Sequence, residues 1–165
     1  MMIRSLAFAA VVALLAAASW LLRSSDWAHH GATLEPSNVT LRPGERAVVR
    51  LVNNEADVVA LRFRLRFDES IIVLDTIEPE HKSILTGGNA INLPSRQQPG
   101  LVEVPGSAVI GGRVFRPSAP VYRFAVRGLN PGTTTLAVED LIVVDLGDAE
   151  RAVPASPSRV TVRAR

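Results

Sequence analysis

The amino-acid sequence predicts an all-β protein, a jelly-roll sandwich of about nine antiparallel strands preceded by an N-terminal hydrophobic helix. Three observations predict it. Residues 58–68 read Val-Val-Ala-Leu-Arg-Phe-Arg-Leu-Arg-Phe-Asp, alternating apolar and charged side chains with a period of two, the mark of a half-buried strand. Residues 121–127 alternate again, with Tyr122, Phe124 and Val126 on one side and Arg123 and Arg127 on the other. Pro, Gly and Asn punctuate the segments between, and no amphipathic helix of ordinary length follows residue 23. A sheet with one dry and one wet face belongs to a sandwich, not to a doubly wound nucleotide-binding fold.

In the first of these strands Val59, Leu61, Phe63, Leu65 and Phe67 are expected to face inward, with Arg62, Arg64 and Arg66 facing solvent. Burying each apolar side chain is worth about 1.5–3 kcal/mol, so this strand alone supplies a gross term comparable with the net stability of a domain, about 5–15 kcal/mol.

The other elements follow in order. Residues 39–41 open the sandwich, Arg42-Pro43-Gly44-Glu45 turns the chain, and residues 47–52 form the next strand before Asn53-Asn54-Glu55 breaks it. Residues 71–77 form a strand whose inward set is either Ile72 and Leu74 or Ile71 and Val73. Residues 81–100 carry Gly87-Gly88, Pro94 and Pro99-Gly100 and read as a long connection with at most one short strand near 90–93, the kind of loop that often carries function. Residues 101–110 contain Pro105 and Gly106, which makes this strand an edge strand or a bulged one, because proline cannot donate to the ladder. Residues 133–138, 141–146 and 159–163 complete a set of about eight or nine strands, a count that suits a jelly roll.

The chain has 165 residues, enough for one domain with a real core. It has no cysteine, which excludes disulfides, thiolate metal sites and a cysteine nucleophile. Eighteen basic and 16 acidic residues leave a formal charge of +2, and 17 of the bases are arginine. Nucleic-acid binding is not favoured by such a balance.

Residues 6–22 are an uncharged apolar run between Arg4 and Arg23, separate from the core. The small residues Ala16-Ala17-Ala18 favour a cleaved signal peptide, whereas Trp20, Leu21 and Leu22 continue the run as an uncleaved anchor would. Seventeen helical residues span about 25 Å, slightly short of a hydrocarbon core of about 30 Å. Both readings imply export, to the cell envelope or beyond, with a membrane attachment if the segment stays. The expected organisation is a signal or anchor over 1–23, a tether over 24–33 and the sandwich over 34–165.

The order of elements resembles the cohesin domain, the anchoring module of cellulosomes and related bacterial surface assemblies. The resemblance is carried by Leu41-Arg42-Pro43-Gly44-Glu45 with the strand after it, by Leu61 to Asp68 with Ile71 to Leu74, by Val121-Tyr122-Arg123-Phe124, and by Gly132-Thr133-Thr134-Thr135-Leu136 with Asp140. It covers roughly residues 34–164. It implies a nine-stranded jelly roll related to carbohydrate-binding modules, no catalysis, and a helical dockerin-like protein partner held against one sheet. The chain departs from the family's usual setting, with one such unit behind its own short N-terminal segment and no dockerin recognisable in these 165 residues.

By that resemblance Arg62, Arg64 and Arg66 lie on the partner-binding sheet beside Asn89, Asn92 and Glu103. Arginine suits such contacts through its fork of donors. An ordinary solvated face is the alternative, since unit charges about 7 Å apart in water repel by only about 0.6 kcal/mol. Direct sugar binding calls for exposed aromatic faces, and both tryptophans fall before the sandwich. Adjacent His29 and His30 cannot share a metal from a strand, His81 stands apart, and Asp145-Leu146-Gly147-Asp148 lacks the spacing of a calcium loop. There is no Gly-x-Ser-x-Gly elbow and no phosphate loop. No catalytic residue, metal or cofactor is therefore assigned. The expectation is a non-enzymatic exported scaffolding module that docks a protein in a cell-surface or polysaccharide-degrading assembly. A carbohydrate-binding module, or an accessory subunit of a secretion or pilus machine, is the alternative.

Overall fold

The computed structural model describes residues 31–164 except Lys82 and Gly87. The expected N-terminal helix and the signal or anchor over 1–23 lie outside the described residues, as does the tether up to residue 30.

Phe63, Tyr122 and Phe124 show how the two layers meet. Phe63 lies on β4 (Val58–Arg66), and Tyr122 and Phe124 on β9 (Ala119–Gly128). The Phe63 ring stands edge-on to both, at 5.3 Å from Tyr122 and 6.1 Å from Phe124, each with an interplanar angle of 80°. Edge-to-face pairs add about 0.5–1.5 kcal/mol beyond area burial. The Tyr122 hydroxyl is hydrogen-bonded to Ser107 on β8 (Leu101–Val109), so the same side chain satisfies its polar end across the interior. Burial pushes the Tyr122 phenol above its ordinary pKa, which keeps it neutral.

One layer is a five-stranded sheet in the order β12-β1-β3-β9-β5, comprising β12 (Ala155–Ser156), β1 (Ala32–Glu35), β3 (Arg46–Asn53), β9 and β5 (Ile72–Pro79). The other is an eight-stranded sheet whose main path is β2-β13-β10-β4-β8-β6. It contains β2 (Asn38–Leu41), β13 (Ser158–Val162), β10 (Gly132–Asp145) and β6 (Ala90–Asn92). Two short strands complete it, β11 (Glu150–Ala152) on β10 and β7 (Arg96–Gln98) on β8. The all-β sandwich is as expected. Its pairing is mixed, because β1 runs parallel to β12 and β2 parallel to β13. Strand direction is set by where distant segments meet, which alternation does not encode.

The inward parity of β4 holds at Leu61, Phe63 and Leu65, all at most 3% exposed. Val59 and Phe67 are only partly buried, and Val58 is fully inside. At the start of the strand the cause is a register shift against β10 between Val144 and Asp145, which turns Val58 inward and Val59 outward, whereas Phe67 lies past the strand's end. On β5 the inward pair is Ile72 and Leu74. A second shift, between Leu74 and Thr76, leaves Asp75 as the additional residue. Its carboxylate faces outward and accepts bonds from Arg46 Nε at 2.7 Å and Arg127 Nε at 3.0 Å.

Pro105 and Gly106 do form a bulge, since Leu61 pairs with Ser107 while Phe63 pairs with Val104. The expected strands 133–138 and 141–146 are one strand, β10, bent by a bulge between Glu139 and Ile142 where Asp140 takes a left-handed φ of 49°. Gly128 is required by close approach, because a Cβ there would meet the Arg42 carbonyl oxygen at 2.8 Å. The tether ends earlier than expected. Ala32 and Leu34 are buried on β1, whose entry is held by buried Glu55 accepting the Gly31 N–H at 2.5 Å and pairing with Arg151. The long connection holds a 3-10 turn (Ile84–Thr86) with buried Leu85, and both β6 and β7, one strand more than expected.

Two outcomes are expected. Phe63→Ala should lower unfolding free energy by about 3–5 kcal/mol in urea denaturation, because it empties the centre of the sandwich. Asp75 is held below the usual carboxylate pKa first by the Arg127 hydrogen bond and then by the charges of Arg127 and Arg46. A depressed folded pKa stabilises above the unfolded value and is lost as pH falls through the folded one. Asp75→Asn should therefore lower the melting temperature at pH 7, and the difference from the parent should vanish below the ordinary carboxylate range.

Candidate partner-binding face

The alternation that sends Phe63 inward sends Arg62, Arg64 and Arg66 onto the outer face of the eight-stranded sheet, all exposed. Each finds an acid, two of them from the adjacent β10 and one from β11 on the far side of β10. Arg62 Nη2 lies 3.2 Å from Glu150 Oε2, Arg64 pairs with Asp140, and Arg66 Nε lies 2.9 Å from Glu139 Oε1. The β10 bulge contributes two of these acids, because it sets both Glu139 and Asp140 opposite β4. Glu103 sits directly across from Arg64 in the β4–β8 register and also lies 3.7 Å from Arg96 Nη1. The arginine row is thus embedded in a charge-balanced lattice.

Of the residues expected at a contact, the structure brings Arg62, Arg64, Arg66 and Glu103 onto one face. Asn89 and Asn92 lie at its margin. The Asn89 carbonyl accepts the Ile110 N–H at 2.7 Å, and the Asn92 side-chain amide donates to the Leu85 carbonyl at 2.9 Å. Asn92 is therefore occupied in holding the 3-10 turn, and its part in the fold is to anchor the long connection.

Sequence reasoning missed the apolar half of this face. Beside Arg62, the outward side chains of Ala60, Ala108, Ile142 and Val144 form the floor of an open depression of about 240 Å³, with Ile91 and Leu93 overhanging it. Ile91 and Leu93 are 53% and 50% exposed, and the other large exposed hydrophobics among the described residues, Ile110 and Leu146, continue the β8 and β10 rows at the same end. A signal for it existed. Leu141-Ile142-Val143-Val144 does not alternate, so one sheet face had to present apolar groups outward.

Among the described residues no three His, Asp or Glu side chains gather as metal ligands. The Asp145 carboxylate instead accepts the N–H groups of Gly147 at 2.8 Å and Ala149 at 3.1 Å, closing its own turn. His81 faces Glu78 at 3.8 Å on the opposite sheet's border. His29 and His30 lie outside the described residues.

A two-layer, all-strand sandwich of this kind defines a fold class, and known structures place it more narrowly. No protein-family model and no curated protein sequence matches the chain. Solved structures do. A type I cohesin–dockerin complex from Clostridium thermocellum superposes with a TM-score of 0.65 at 10% identity, covering 81% of this chain and 93% of the other. A cohesin module from a family 33 glycoside hydrolase of Clostridium perfringens gives 0.61 at 13%, covering 82% and 98%. A non-cellulosomal cohesin from the hyperthermophilic archaeon Archaeoglobus fulgidus gives 0.62 at 10%, covering 80% and 91%. The chain has the cohesin fold.

Exposed ion pairs contribute about 0–1 kcal/mol each. Replacing Arg62, Arg64 and Arg66 together by Ser should accordingly leave a cooperative unfolding transition and lower the melting temperature by only a few degrees, as read by circular dichroism.

Proposed function

We propose that the chain is a non-catalytic docking module that holds a helical, dockerin-like protein on the outer face of its eight-stranded sheet. The observation that carries this reading is the apolar depression over Ala60, Ala108, Ile142 and Val144 beside a charge-balanced arginine row. Stable protein interfaces combine an apolar centre with a polar rim, and an amphipathic helix presents a complementary stripe. The cohesin fold supports the same reading, since several structural neighbours were solved as complexes with dockerins. The role is scaffolding, in an exported cell-surface or polysaccharide-degrading assembly, with residues 1–23 serving as its signal or membrane anchor.

In this arrangement Ile91, Leu93, Ile142 and Val144 supply most of the affinity, and Arg62, Arg64 and Arg66 orient the partner after exchanging or sharing their acids. A face whose cations are already neutralised steers encounter weakly.

The test is capture of envelope and secreted proteins on the immobilised chain, followed by titration calorimetry with each captured protein purified alone. A helical module should bind the parent, and Ile91→Asp with Leu93→Asp should weaken it by about a hundred-fold, the cost of two charges in an apolar contact. Raising salt from 0.05 to 0.5 M should change the affinity by less than about ten-fold. Unchanged binding by the double aspartate variant would refute this placement of the partner.

A further inference from the structure

The other half of the same sheet has a different chemistry. Across β2, β13 and the first part of β10 the register aligns Asn38 with Arg159 and Thr135, and Thr40 with Thr161 and Thr133. Their alternates Val39, Leu41, Val160, Val162 and Leu136 are buried. Asn38, Thr40, Thr133, Thr135 and Arg159 are exposed, and Thr161 half-buried. Two rungs of amide, guanidinium and hydroxyl groups therefore lie flat on the surface, about 6.6 Å apart along the strands. The Thr133 and Thr161 hydroxyl oxygens are 3.3 Å apart. Exposed Arg42 and Arg163 stand side by side at the end of the array, where the Arg163 N–H donates to the Leu41 carbonyl.

Among the described residues, the arginines here have no ion-pair partner. Arginines 46, 50, 62, 64, 66, 96, 123, 127 and 151 each lie within ion-pair distance of an acid. Among the described residues Arg42, Arg159 and Arg163 have no such partner, nor do Arg113 and Arg116 on the β8–β9 connection. Two acids on adjoining segments are engaged otherwise, as Glu45 accepts the Arg42 backbone N–H at 2.7 Å and Glu139 pairs with Arg66.

We propose that this face binds a carboxylated polysaccharide, a uronate polymer lying along the strands, independently of the docking face. Guanidinium groups pair with carboxylates through two parallel hydrogen bonds. Arg159 on β13 and Arg163 just past its end are four residues apart, about 13 Å in extended chain, with Thr40, Thr133 and Thr161 between them. That is a low density of positive charge interleaved with neutral hydroxyls, which matches a sugar chain whose carboxylates are separated by hydroxyl groups. A nucleic-acid strand, with a charge every 3.4 Å or so, would meet too few cations. A protein partner would find no apolar centre in these rungs.

The test is affinity electrophoresis and calorimetry of the full-length chain, in a non-ionic detergent, with polygalacturonate, its fully methyl-esterified form and dextran sulfate. The parent should be retained by polygalacturonate and released when the carboxylates are esterified. Arg159→Ser with Arg163→Ser should bind about ten-fold or more weakly, Thr161→Val a few-fold more weakly, and Arg113→Ser with Arg116→Ser, which removes the same charge, as the parent does. Circular dichroism should be unchanged in all of them, since none of these side chains belongs to the buried core. The proposal is overturned by failure of the parent to bind, by equal binding of the ester, by retention on dextran sulfate alone, by equal losses in the two double-arginine variants, or by parent-level binding of Thr161→Val.

Discussion

Everything in this sandwich depends on the interlock of Phe63 with Tyr122 and Phe124 between the two sheets. From Leu61 onward it makes the odd-numbered side chains of β4 the interior and the even-numbered ones the surface, so the arginine row is a consequence of where the phenylalanine goes. Because the side-chain period of a strand is two, a slip of one residue would exchange core and surface along the whole strand. The tyrosine adds a polar tie. Its hydroxyl reaches Ser107, which points inward only because the Pro105–Gly106 bulge has advanced β8 by one residue. That bulge also brings Ala108 to the outer face, so the packing of the core and the contour of the apolar depression are set by one irregularity.

Bulges do comparable work elsewhere. The extra residue in β5 puts Asp75 between two arginines that would otherwise oppose each other across β3 and β9. The extra residue in β10 supplies acids to β4. In both places an insertion that breaks the ladder locally also removes like-charge repulsion, which is why a surface carrying so many arginines can form a flat sheet.

The eight-stranded sheet carries two surfaces of unlike character on one plane. Toward β6 the outward groups are apolar and the cations compensated, which suits a protein. Toward β2 they are hydroxyls and guanidinium groups that have no ion-pair partner among the described residues. The Arg66–Glu139 pair lies between them. A module able to hold a protein with one half of a sheet and a polysaccharide with the other would link an assembly to its matrix.

Much of the fold was legible because burial leaves a periodic trace. The strands β3, β4, β5, β8 and β9 were readable from alternation and from turn residues, and Pro105 announced its bulge. β1, β7, β11 and β12 were not, since two to four residues carry no period and exist as strands only because a partner lies alongside. The arginine row was legible as a face, whereas its acids, distant by up to 88 residues in sequence, were not. By itself the sequence determined which side chains must leave water and hence the two-layer architecture. Only the tertiary structure decided sheet direction, register and bulge position, because these are fixed by which segments meet across the interior, and from them follow the apolar depression and the uncompensated arginines.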